Sequence, residues 1–149
     1  SLISSYIDGD DISKYNGVDD IYFEKVKKEI DISYFFGDDD YEKDLEKNLD
    51  FVKDLDLNLQ LGFYYFLDYE DELKKQFTRY TEFEDYTQMI KKTDILITAS
   101  PQAVLESLAS GGRPIYFQRE DYPTDFQQLF KDLNIPIINN YDKKELFVA

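Results

Sequence analysis

Within residues 93–118, TDILITASPQAVLESLASGGRPIYFQ, Ser100 stands directly before Pro101 and six residues before Glu106. Serine is a good helix N-cap, and proline suits the first helical position. A helix opening at Ser100 would therefore turn backbone N–H groups, and the positive end of its dipole, toward any anion ahead of it. Gln102, Ala103 and Val104 belong to that first turn, and Glu106 is spaced to offer a carboxylate to sugar hydroxyls. Phosphate-binding donors beside a carboxylate are the parts of a nucleotide-sugar site. Each part also has a plainer reading, as an ordinary capped helix and a solvated helix residue.

The flanking residues say what must position this turn. Ile95-Leu96-Ile97 precedes it, an amphipathic segment at 103–109 follows, and Ser110-Gly111-Gly112 leads into a second apolar run, Pro114-Ile115-Tyr116-Phe117. Strand, helix and strand in so short a span are the footprint of a βαβ crossover. Neither apolar run alternates with polar residues, as strands covered on both faces require, so both belong at the centre of a parallel sheet, adjacent or nearly so. Elsewhere the pattern predicts a short helix over 19–30, a strand over 32–36 and a helix over 41–55. A strand region at 57–66, a helix over 68–75, a strand over 77–80 and a helix over 83–92 come next. A helix over 125–133 and a last strand at 135–138 close the order. The sum is an α/β, Rossmann-like, doubly wound parallel sheet of about six strands, with helices on both faces. Residues 19–149 form that domain, while 1–18, rich in Asp and Gly, read as a linker or flexible arm. Right-handed crossovers place the C-terminal strand ends on one rim, where ligands of such sheets bind. Residues 80–83, including Thr81 and Phe83, fall on that rim.

Composition narrows the chemistry. The chain has 149 residues, no Cys and no His, which removes disulfides, thiolate nucleophiles and the commonest general base. Carboxylates, Tyr, Lys and Arg remain. A net charge of −15 disfavours nucleic acid, since counterion release needs basic patches. No apolar run approaches the roughly 18–20 residues of a membrane-spanning helix, and no signal-peptide pattern opens the chain, so the expected location is cytoplasmic. The first residue is Ser, which suggests a piece of a longer protein.

The pattern D-I-L-I-x-x-S…L-E-S-L-A-S-G-G-R-P-I over residues 94–115 resembles the donor-binding C-terminal domain of GT-B-fold glycosyltransferases. The resemblance implies a nucleoside-diphosphate sugar as substrate and no other cofactor. It carries Glu106 onto the ribose and Ser100, Gln102, Ala103 and Val104 onto the phosphate-facing turn. It also implies that chemistry occurs between this half and an N-terminal acceptor half, so that this chain binds without turnover. Two positions depart from the pattern. Thr98 stands where many retaining members carry a second glutamate, and Asp38-Asp39-Asp40 occupies the loop where many place a cation for the leaving diphosphate. These departures leave the catalytic residues unassigned, and they raise an alternative: a glycosyltransferase-like module serving carbohydrate recognition or complex assembly.

Arg79 and Arg119 are the guanidinium groups expected near the rim, either as phosphate ligands or as surface ion-pair partners. Arg113, after the Gly-Gly turn, falls at the opposite end. Tyr80, Phe83 and Tyr86 flank the loop where the family contacts the base, and core packing is the competing account of each. The Asp-rich loop lacks the glycine and distal glutamate of a calcium loop, so no metal is expected.

Overall fold

The computed structural model describes residues 18–24, 26–37, 56–62, 67–77, 79–118 and 126–138. A 3₁₀ turn, Asp20–Phe23, leads to strand β1 (Ile30–Phe35). Strand β2 (Asn58–Gln60), helix α1 (Leu67–Gln76) and β3 (Arg79–Thr81) follow. A second 3₁₀ turn, Phe83–Asp85, opens α2 (Tyr86–Lys92), which runs into β4 (Thr93–Thr98). Helix α3 (Pro101–Ala109), β5 (Arg113–Phe117), α4 (Gln127–Asp132) and β6 (Ile137–Ile138) complete the order. All six strands are parallel, in the order β3-β2-β1-β4-β5-β6, which is the Rossmann-like α/β sheet expected. The order reverses between β1 and β4, the place where sheets of this kind have a crevice outside the strand ends.

β4 and β5 are adjacent and central because their side chains are apolar toward both faces. Tyr34, Ile97 and Phe117 enter a core with Leu59 and Leu73 on one face of the sheet. Their chain neighbours Phe35, Leu96 and Tyr116 enter the other core, with Met89, Val104 and Phe130. Successive strand residues point to opposite faces, so a single run feeds two cores.

The expected helix over 19–30 is a correction. Only one turn forms, with the Asp19 carboxylate accepting from the Ile21 N–H at 3.0 Å, and Glu24 is already extended. The chain is straightened by what it meets. Lys28 donates from Nζ to the carbonyls of Lys91 and Ser110, both at 2.8 Å, and the Glu29 N–H bonds the Lys92 carbonyl at 2.9 Å. One ammonium thus serves the carbonyl-rich C-terminal ends of both α2 and α3, an arrangement a continued helix could not reach. Val18, the last residue of the expected arm over 1–18, is buried at 4% exposure and packs in the same core as Tyr22. The arm over 1–17, the Asp38–Asp40 loop, the helix over 41–55, residues 63–66, Arg119 and the end of the chain beyond 138 lie outside the described residues.

Among the described residues no helix is long and apolar enough to cross a membrane.

Candidate functional site

The helix start at Ser100 lies where it was expected, at the end of β4 on the rim beside the β1/β4 crevice. The Ser100, Ala103 and Val104 N–H groups are already employed. Ser100 Oγ accepts from the Ala103 N–H at 3.2 Å, the Ser100 N–H donates to Thr98 Oγ1 at 3.0 Å, and the Val104 N–H bonds the Ser100 carbonyl at 3.1 Å. Pro101 carries no N–H. An anion that takes the Ala103 N–H must displace the serine cap, whose own contribution is about 1 kcal/mol. Ala103 and Val104 send their side chains into the core, so only their backbone could face a ligand.

Glu106 is buried, with 7% exposure, rather than a solvated helix residue. Tyr86, the first residue of α2, donates its hydroxyl to Glu106 Oε1 at 2.5 Å. Gln102, one turn nearer the rim, donates from Nε2 to Oε2 at 3.4 Å. The Tyr86 ring meets Phe35, the last residue of β1, edge-on with centroids 5.1 Å apart. These contacts tie β1, α2 and α3 together at the crevice. The Tyr22 hydroxyl lies 3.2 Å from Thr87 Oγ1 in the same neighbourhood. Burial raises its pKa above the ordinary tyrosine value. The hydrogen bond to Thr87 offsets part of that rise, and the nearby Glu106 carboxylate adds to it.

Other expected site residues are not brought to this cluster. Arg79 opens β3 rather than ending it, and pairs with Asp56 at 2.6 Å. Parallel register sets Arg79 beside Asn58, the first residue of β2, so its expected place on the rim is corrected. Arg113 is at the end away from the rim, as expected, and grips Asp94 through two bonds of 2.9 and 2.8 Å. Thr81 ends β3 at rim level, but its hydroxyl accepts from Asn58 Nδ2 at 2.7 Å. Phe83 opens the 3₁₀ turn that follows. Tyr80 is exposed at the sheet edge, with the Lys74 ammonium 5.1 Å from its ring centre. No group of three or more acidic side chains that could hold a metal ion occurs among the described residues.

Tyr86 and Tyr22 as partners of Glu106 were not foreseen. A signal existed: a carboxylate between core positions Leu105 and Leu108 needs donors, and a chain without His but with 13 Tyr supplies hydroxyls. In comparisons with known proteins, no family model, curated protein or solved structure matches the chain.

Proposed function

We propose that this chain is the nucleotide-sugar-binding half of a glycosyltransferase that moves a sugar to a glycan, lipid or protein acceptor. The observation that carries the reading is the coincidence at the β1/β4 crevice of the α3 N-terminus and the Glu106 carboxylate. A doubly wound sheet binds ligands where its strand order reverses, and a helix start there suits a diphosphate. The ribose belongs on Glu106 and the phosphates on residues 100–104. The chain's part is to orient the donor and stabilise the departing diphosphate, while the acceptor comes from another half.

A specific observation favours the second reading, a glycosyltransferase-like module for carbohydrate recognition or assembly. The cap at Ser100 satisfies itself and Glu106 already has donors. Arg79 and Arg113 are committed to carboxylates at the other end of the strands. Titration with UDP, GDP, CDP and their sugars, followed by amide NMR shifts, separates the two. Donor binding is expected to be weak, about millimolar, because the −15 charge opposes an anion, and to improve slightly as salt screens that repulsion. Glu106→Ala should remove about 1–3 kcal/mol of affinity, the scale of hydrogen bonds to charged groups. Saturating nucleotide that shifts no amide between Ser100 and Glu106 sinks the donor reading and leaves the module reading in its place.

A further inference from the structure

We draw no further inference here: the strongest candidate, the apolar groove between the ends of α3 and α4 at the start of β5, carries nothing because nothing in the structure shows what covers it and the Arg113 that lines it is already bonded to Asp94.

Discussion

On one side of the β1/β4 crevice, β4, α3 and β5 run through residues 93–117, and both ends of α3 are closed by bonds within that span. Ser100 caps the start of α3. Its end is a Schellman motif, with the Gly111 N–H on the Leu108 carbonyl at 3.1 Å and the Gly112 N–H on the Ser107 carbonyl at 2.8 Å. Gly111 supplies the left-handed φ of 82° that this closure needs. On the other side, β2 and β3 are three residues each. They are held to the sheet through a ladder of polar side chains from distant positions. Thr81 and Ser33 are bridged by Asn58 Nδ2 at 2.7 and 3.4 Å, and Ser33 Oγ lies 2.8 Å from Thr93 Oγ1. The comparison separates two ways of fixing a strand. Local closure can be written in a few consecutive residues, whereas a buried polar ladder works only once the sheet has assembled. The candidate turn at Ser100 sits on the locally closed side.

The strongest way to break this comparison is at Gly112. A Cβ there would stand 2.6 Å from Ser107 Oγ and 3.1 Å from the carbonyl oxygens of Asp94 and Ser107. Two of those three neighbours are backbone and cannot step aside. Gly112→Val is expected to cost about 3 kcal/mol in urea unfolding, the upper part of the usual overpacking range. Ser107→Ala should be neutral or stabilising by itself, because its buried Oγ has no hydrogen-bond partner among the described residues. The double variant should recover only part of the loss, since both carbonyls remain. Full recovery would mean that one side chain, not the local backbone closure, sets the spacing of α3 and β5.

Asn58→Ala is the matching experiment on the other side. It strands the Thr81 and Ser33 hydroxyls from their amide donor in a buried setting, an effect of about 1–2 kcal/mol. Hydrogen exchange should then accelerate in β2 and β3 while residues 93–117 keep their protection. Equal acceleration in both regions would show that the two sides unfold as one unit and that the contrast drawn above has no energetic content.

The same contrast explains what could be seen in the residues beforehand. The β4–α3–β5 unit was legible because apolar runs, a Ser-Pro cap and a Gly-Gly stop all carry local meaning. The six-stranded parallel sheet followed from the alternation of such units. The segment over 19–30 was misjudged because its conformation is decided by Lys28 reaching the ends of two helices remote in the chain. Glu106 stood out in the sequence, and the structure buries it among hydrogen-bond donors, but those neighbours were hidden. Tyr86 is 20 residues away in sequence, and nothing local distinguishes a tyrosine that packs from one that donates. Arg79 was misplaced for a simpler reason, since a shift of two residues in a three-residue strand carries a side chain from one end of the sheet to the other.

The smallest expected effect sharpens the comparison from its electrostatic side. Asp94 and Arg113 join β4 to β5 beside the Gly-Gly turn, within the locally closed unit. The guanidinium hydrogen bonds hold the Asp94 carboxyl below its ordinary value, and partial burial opposes them. A depressed folded-state pKa contributes stability that is present above the unfolded value, about 3.9, and is lost as pH falls through the folded one. Both side chains are well exposed, at 69% and 38%, so solvent screens the pair and its worth is small. Arg113→Gln should therefore lower the melting temperature slightly at pH 7 and at low salt. The difference from the parent should shrink as salt is added, and vanish once Asp94 is protonated in both proteins. A loss that persisted at acid pH and high salt would mean that the Arg113 stem, not its charge, is what β5 uses. In that case the local unit would lean on a long side chain, as β2 leans on Asn58, and backbone closure alone would not account for its order.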